Sequence, residues 1–571
     1  MLDKQNSLSL LEKQYVFPQE SSWSIEQILL TNRNLPTDLL LREDFVRPAF
    51  HHLHDPYLFP QMQEAVARIL QARENLERIV IFGDYDVDGV SSTALLVKFL
   101  TQIGCEVSYR LPHRVNDGYG LKKYFIDELK AKNVSLVITV DCGTRDIDVI
   151  NHAHSIGVDV IVTDHHAVPQ AIPEHAIALL NPKLPNTTYP FSSLSGSWVA
   201  FKLLHALVIA LEKDTSKQEE ILRQYIDIAT LGTIADCMPL IGENRIIATL
   251  WLRELRRSGS VGIRKLLEGK DPHEKDGDIV GFHIGPRINA AGRMDTPYTA
   301  LSLLLAGESR IDPIVAEIEM LNTSRRDETK FATERALWEM DTSGPILWYA
   351  KNDIEHGIIG LIAGKLANDF SKVSIVLKDE WEKLVASARS GGVCDLMELL
   401  TPSADLFIAY GGHREAAGFS VSKANSDELY QSLCTTYSEI TQKNEQKAST
   451  KTITIDSILT SDDLTLDFYE QVMQLGPYGV WFSKPVFGVE ADLSEMQDLG
   501  SSWEHISFVL KKSKKFEEQV KAVGFGIRDL IPNNQDQKAI LIGELTKNIW
   551  NERVSLQFMI RDIILRDTIW N

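Results

Sequence analysis

From residue 79 onward the chain alternates between short β-branched runs and stretches in which apolar residues recur at helical spacing. Ile79-Val80-Ile81-Phe82 reads as a strand, Val90 to Ile103 as a helix, Glu106 to Tyr109 as a strand and Leu121 to Lys132 as a helix. Leu136 to Val140 then reads as a strand, Asp146 to Ile156 as a helix and Val158 to Val162 as another strand. Runs without polar interruption suit strands covered on both faces. Repeated β-α-β units of this length predict an α/β fold with a parallel, doubly wound sheet and right-handed crossovers. Met62, Val66, Ile69 and Leu70 mark an amphipathic helix leading into the first strand.

Farther along, Tyr225 to Leu240 is an apolar helix ended by small residues, and Pro313 to Met340 reads as one long helix. That helix carries Ile314, Ile318 and Leu321 on one side, Phe331, Leu337 and Trp338 later, and a basic pair, Arg325-Arg326, that suits a solvated face or a phosphate contact. Its early proline is tolerated where an amide would be unpaired anyway. Ile346 to Tyr349 and Val373 to Leu377 are predicted strands around a helix from Gly357 to Phe370. Thr441 to Lys451 lacks apolar periodicity and reads as a linker. Beyond it Ile506, Phe508 and Leu510, then Val554, Leu556, Phe558 and Ile560, alternate as in a small β-barrel. Residues 1–60 have weak periodicity, and His51, His52 and His54 suit packing or surface roles, since their spacing fits no single helix face. The expected divisions are 1–60, 61–305, a connecting helix 306–342, a smaller α/β domain 343–440, and 452–571.

Composition narrows the classes. A chain of 571 residues with 44% hydrophobic and 24% charged residues is that of a globular protein too long for one core. The start Met1-Leu2-Asp3-Lys4 lacks a signal pattern, and Lys202 and His205 interrupt the apolar stretch Val199 to Leu211, so neither secretion nor membrane insertion is expected. Five cysteines without paired spacing fit reduced thiols in a cytoplasm. A formal charge of −20 argues against a broad electrostatic grip on duplex DNA, so any nucleic-acid site must be a local basic channel.

Chemistry gathers where the strands end. Gly83-Asp84-Tyr85-Asp86-Val87-Asp88-Gly89 places three carboxylates at alternate positions. Helix capping needs one of them; keeping all three ionised calls for a compensating cation. Asp141 follows the strand ending at Val140, and Asp164-His165-His166 follows the one ending near Val162. Carboxyl ends of parallel strands share one edge, so these groups are expected to meet there. Carboxylates with imidazoles and no thiolates favour manganese or magnesium over structural zinc. Asp236 suits a cap or a ligand equally. Arg287 and Arg293 lie on what reads as a Gly- and Ala-rich turn, either facing phosphate or paired to acids on their own surface.

Asn116-Asp117-Gly118-Tyr119-Gly120, Asp141-Cys142-Gly143, Asp164-His165-His166, Ala235-Asp236-Cys237-Met238-Pro239-Leu240, Gly285 to Arg293 and Gly411 to Gly418 join the Gly83 to Gly89 stretch in one order. Together they resemble the DHH phosphoesterases and, within them, the RecJ single-strand-specific DNA exonucleases. The resemblance implies metal ligands Asp86, Asp88, Asp141, His165 and Asp236, with Asp84 close by and His166 facing the scissile phosphate. It implies that Ser387 and Arg389 hold a terminal 5′-phosphate, that His413 presses on the nucleotide, and that Arg114, Arg287, Asn289 and Arg293 contact substrate. One departure is Phe82, where many members carry histidine; one metal is then expected to be held by fewer groups or with Asp84 in compensation.

The resemblance also implies a DHH-associated second domain and a carboxyl-terminal OB-fold. There Trp503, Trp550 and Phe558 either stack on bases or fill the barrel core, and Lys511-Lys512-Ser513-Lys514-Lys515 tracks phosphates or forms a solvated hairpin tip. The stretch Leu475 to Pro485 departs from the family's usual turn, so the barrel's loop and binding preference are expected to differ. The implied activity is hydrolysis of single-stranded DNA from the 5′ end to 5′-mononucleotides in DNA repair and recombination, using two divalent ions, Mn2+ or Mg2+, about 3.5 to 4 Å apart. Asp141 is the candidate shared ligand. The implied partners are a single-strand-binding protein and a helicase, with the chain itself a cytoplasmic monomer. Alternatives are a short-oligonucleotide or cyclic-dinucleotide phosphodiesterase, a pyrophosphatase and, from another class, a catalytically inactive replication scaffold.

Overall fold

The computed structural model describes residues 9–11, 13–18, 23–254, 259–269, 277–444, 452–499, 505–511, 519–528, 531, 538–550 and 553–565. Its first sheet has five parallel strands in the order Glu106–Arg110, Arg78–Gly83, Val134–Val140, Asp159–Thr163, Ala178–Leu180. The period-2 pleat divides each apolar run between two cores. Ile79, Ile81 and Ile138 pack with the helices Met62–Glu74, Val87–Gln102 and Gly196–Leu211, whereas Val80, Phe82 and Val137 pack with Lys123–Ala131 and Ile147–Ser155. Phe82 thus points into the second core, its ring 5.4 Å from that of Phe125. There it serves packing.

The helix Ile311–Glu339 runs 29 residues, about 44 Å at 1.5 Å per residue. Ile311 and Ile318 belong to the core of the first domain and Ala332 and Ala336 to a core of the second, so one rigid rod joins the two. Phe331, Leu337 and Trp338 face solvent instead. The second domain's five-stranded sheet has the order Phe407–Gly412, Ala416–Ser422, Lys383–Arg389, Val373–Glu380, Ile346–Lys351. The helix Ile359–Phe370 covers one face, and Leu396–Leu400 and Ser426–Asn444 cover the other. Helical structure therefore continues to Asn444, into the expected linker.

The last domain carries a seven-stranded mixed sheet in the order Ser457–Leu459, Phe487–Asp492, Lys538–Trp550, Arg553–Leu565, Gln519–Gly524, His505–Lys511, Gln497–Leu499. Phe558 is fully buried there and is core, not a base platform. Trp503 and Lys512 to Lys515 lie outside the described residues, as do the side chains of Trp550 and Lys511. The amino-terminal segment packs against this domain: Gln14–Val16 pairs in parallel with Thr452–Thr454, and Leu29 and Leu30 enter its core. Arg33 grips Asp456 through two bonds of 3.0 and 3.2 Å.

The Leu475 to Pro485 stretch is a clasp onto the first domain. The Leu240 amide donates to the Val480 carbonyl at 3.0 Å, and Arg245 lies 3.9 Å over the Phe45 ring while donating to the Gly476 carbonyl at 3.1 Å. Within the first domain the Lys202 ammonium is fully buried, donating to Glu243 at 2.6 Å and to the His54 carbonyl at 2.8 Å. The Tyr189 hydroxyl and the His54 amide satisfy the rest of the Glu243 carboxylate.

Candidate metal centre and substrate cleft

The acids are placed by backbone turns that depend on small residues. A Cβ on Gly89 would fall 2.5 Å from the Asp84 backbone, so glycine lets the Val87–Gln102 helix start directly against the strand end. Asp86 caps that helix, accepting from the Asp88 and Gly89 amides at 2.9 and 3.1 Å. Asp88 turns inward, where the amides of Gly196 and Ser197 donate to it at 2.6 and 2.9 Å from the start of the Gly196–Leu211 helix. Asp141, with φ of 61°, leaves its strand in the left-handed region, and a Cβ on Gly196 would lie 2.6 Å from its Cβ. Asp236 ends the Ile226–Ala235 helix.

These placements converge. The His165 Nε2 lies 3.2 Å from Asp141, 3.6 Å from Asp236 and 3.9 Å from Asp88. Three sets of potential ligands have donor atoms within 4.8 Å of one another: Asp84, Asp86 and Asp141; Asp88, His165 and Asp236; Asp141, His165 and His166. Asp141 joins two of them. Burial, and then repulsion from neighbouring carboxylates, raises Asp84 to about 8, Asp88 to about 6 and Asp236 to about 9, and drives Asp141 well above its usual range. Burial lowers His165 to about 3, the neutral form that ligates metal. Oδ1 of Asp84 and of Asp141 is buried without a hydrogen-bond partner. Orphaned oxygens beside a neutral imidazole, with no thiolate, fit divalent ions of the manganese or magnesium kind.

Asp164, expected at the same rim, has another task. It accepts from the amides of Thr144, His165 and His166 and bonds the His166 Nδ1 at 2.8 Å. Despite burial, those donors hold it below the usual carboxylate range. The Tyr119 hydroxyl donates to the Asp141 carbonyl and lies 3.1 Å from the His166 Nδ1. His166 is thereby fixed at Nδ1, leaving Nε2 for a ligand. Its pKa is raised because the Asp164 bond and nearby carboxylates outweigh burial.

Across the cleft, Arg389 bonds the Ser387 hydroxyl at 2.9 Å, and a Cβ on Gly360 would lie 3.0 Å from its Nη2. Arg293 donates to the Gly357 carbonyl at 3.0 Å, tying the two domains together. Burial and the neighbouring guanidiniums of Arg114, Arg389 and Arg325 lower Arg293 to about 9, which identifies a basic cluster. Arg114 stacks 4.1 Å over Tyr85, beside the acids. Gly285 to Arg293 is part of the helix Gly285–Met294 rather than a turn: Pro286 occupies its first turn and Ala290 and Ala291 sustain it. Arg287 on that helix is bonded to Glu319 at 2.7 Å and to the His283 carbonyl, whereas Asn289 keeps a buried Oδ1 without a partner. His413 and His166 line one cavity of about 220 Å3 between the domains. Neither a role for Tyr119 nor a positioning role for Asp164 follows from the sequence, although both lie in motifs singled out there, Asn116 to Gly120 and Asp164 to His166; Arg325, read there as a solvated face or a phosphate contact, adds its charge beside Arg293.

Among the described residues no helix is long and apolar enough to cross a membrane. The sequence profile of the DHH family, N-terminal domain, matches residues 78–233, and that of the RecJ OB domain matches 455–562. The single-stranded-DNA-specific exonuclease RecJ of Bacillus subtilis (strain 168) is 33% identical over 573 residues, covering 98% of this chain and 70% of that protein. The protein of the same name from Salmonella typhimurium is 30% identical over 529 residues, covering 88% of this chain and 90% of that one. The crystal structure of RecJ in complex with Mn2+ from Thermus thermophilus superposes with a TM-score of 0.80 at 25% identity, covering 96% of this chain and 79% of that one. Strand-end acids, a facing basic cluster and likeness along nearly the whole chain lead to one assignment: the chain belongs to the RecJ family of single-stranded-DNA-specific exonucleases in the DHH phosphoesterases.

Proposed function

We propose that this chain is a metal-dependent exonuclease that shortens single-stranded DNA from its 5′ end, releasing 5′-mononucleotides. The convergence of Asp84, Asp86, Asp88, Asp141, His165 and Asp236 on one rim carries the reading. Asp86, Asp88, Asp141, His165 and Asp236 would hold two divalent ions, with Asp84 beside them and Asp141 shared. When bound, the ions supply a water of lowered pKa and polarise the phosphoryl oxygens. Asp164 holds the His166 ring so that Nε2 meets the scissile phosphate and offsets the charge gathering there. Arg389, with Ser387 and the backbone near Gly360, binds the terminal 5′-phosphate; Arg293 and Arg114 complete the positive wall, and Asn289 and His413 contact the strand. Arg287 serves substrate only by leaving Glu319, so its contribution is the smallest of the set. No serine or cysteine nucleophile is required.

The physiological setting is repair and recombination in the cytoplasm, a location supported by five free cysteines. A single-strand-binding protein and a helicase would present the unpaired end to a monomeric enzyme. Digestion of 5′-labelled single-stranded, duplex and dinucleotide substrates, with Mn2+ and with chelator, tests the activity. Mononucleotides released from the long single strand under metal alone are expected. Equal cleavage of duplex, or no cleavage of any substrate, removes the proposal.

A further inference from the structure

Two cations at this cleft lie outside the roles assigned above. Arg145 sits four positions beyond Asp141, is exposed, and lines the 220 Å3 cavity with Tyr119, His166, Gly412 and His413. Lys183 lies on the loop after Ala178–Leu180. Asn181 accepts from its amide at 2.9 Å while donating to the His166 carbonyl at 3.0 Å, so one side chain sets both the lysine's backbone and the catalytic loop. Burial of the His413 imidazole, and then the charges of His166, Arg145 and Lys183, lower its pKa.

Neither cation has found an anion. Among the described residues no carboxylate pairs with Arg145 or Lys183, although the chain has 79 acidic residues against 59 basic ones. The acids within reach are already engaged. Asp146, in the same cavity wall, accepts from the Leu121 amide at 2.8 Å, and Asp164 holds His166. Lys183 feels Asp164 and Asp236 without bonding either. Unpaired guanidinium and ammonium groups converging on a histidine beside an acid rim suit a phosphodiester, which offers the Arg fork two oxygens and the Lys a point charge. The residues charged toward Arg293 are Arg114, Arg389, Arg325 and Asp86, and this set shares no member with the group around His413. The cavity that Arg145, His166 and His413 line has neither Arg293 nor Arg389 in its wall.

We propose that Arg145 and Lys183, with His413, form a second phosphate subsite that holds the first phosphodiester on the 3′ side of the scissile one. This rests on the reading that the terminal 5′-phosphate sits at Arg389 and the scissile phosphate at His166. The enzyme then counts three phosphates: terminal, scissile and trailing. A 5′-phosphorylated dinucleotide supplies the first two, and a trinucleotide supplies all three.

The test compares kcat/KM for 5′-phosphorylated dinucleotide, dinucleotide bearing a 3′-phosphate, and trinucleotide, in Mn2+. Wild type should prefer the last two by about tenfold, the scale of one charge-assisted contact. Arg145→Gln with Lys183→Gln should erase that preference by lowering kcat/KM on the two longer ligands, leaving the plain dinucleotide unchanged. Arg145→Lys should restore part of it. A neutral methylphosphonate at the trailing position should cost wild type as much as the double variant loses, and should cost the variant nothing further. On long single strands the double variant should show a log KM against log salt slope reduced by about 0.7 per lost contact. Equal loss on all three ligands, or none on any, overturns the subsite. Failure of wild type to shorten a long single strand in Mn2+ overturns the exonuclease reading itself, and the subsite with it; cleavage of the long strand but of none of the three overturns the subsite alone, because three phosphates would then not suffice.

Discussion

Two groups of buried charge sit in the same catalytic domain and have opposite characters. At Lys202 and Glu243 a cation and an anion cancel, and His54 and Tyr189 occupy the remaining lone pairs and protons. At the strand ends Asp84, Asp86, Asp88, Asp141 and Asp236 crowd together with a neutral His165, and two oxygens have no donor. Burying charge costs several kcal/mol per ion unless it is paired. The first group meets that cost internally and is scaffold. The second leaves it unmet, and a fold that keeps such a deficit keeps it for a ligand.

Perturbing each group should separate them. The largest effect is expected for Asp141→Asn, which removes the shared oxygen: turnover in Mn2+ should fall about 10^3-fold or more, while the metal-free protein melts at a higher temperature because one repelling carboxylate is gone. A lower melting temperature would show that Asp141 is structural. Glu243→Ala should do the reverse, costing about 3 to 5 kcal/mol in denaturant unfolding by stranding Lys202, with turnover per folded molecule retained. Replacing both partners, Lys202→Met with Glu243→Leu, should recover most of that loss. Manganese at about 100 times its Kd should stabilise the wild type by about 2.7 kcal/mol, and the Asp141→Asn variant by much less; calorimetry with and without chelator measures the difference.

Near neutral pH the smallest expected effect is a pH dependence belonging to the scaffold. Burial, then the Lys202 charge, lowers His205 to about 3, against about 6.5 in the unfolded chain. Below 6.5 the unfolded chain takes up a proton that the folded one refuses. Stability from this residue is therefore flat above pH 6.5 and falls as pH drops toward 3, by at most about 1.4 kcal/mol per pH unit. His205→Leu should flatten that part of a melting-temperature profile; an unchanged slope would assign the loss to other groups.

Most of the acid rim was legible because Asp84, Asp86, Asp88 and Asp141 come just after apolar strands, and a parallel sheet brings such positions to one edge, whereas Asp236 reaches it from the end of a helix. The neutral scaffold pair was not. Lys202 and Glu243 are 41 positions apart on different helices and carry no local mark of mutual burial. Arg33 and Asp456, 423 apart, are still farther from any local signal. Phe82 illustrates a subtler limit: position along the motif suggested the site, but the pleat turned its ring to the opposite core. Gly285 to Arg293 read as a turn from its small residues, which in fact permit close helix packing: a Cβ on Gly292 would lie 2.9 Å from the Tyr85 carbonyl. Arg145 and Lys183 are loop residues whose meaning depends on the second domain arriving opposite them.

The Leu240 to Val480 bond, the Arg245 stack and the Gln14–Val16 ribbon fasten the last domain to the first, although the second domain lies between them in the chain. The outer two therefore make a single frame, and the second domain is joined to it by the helix Ile311–Glu339 and the Arg293 to Gly357 bond. The spacing between the acid rim and the last domain is thus set by contacts to which the second domain contributes no residue.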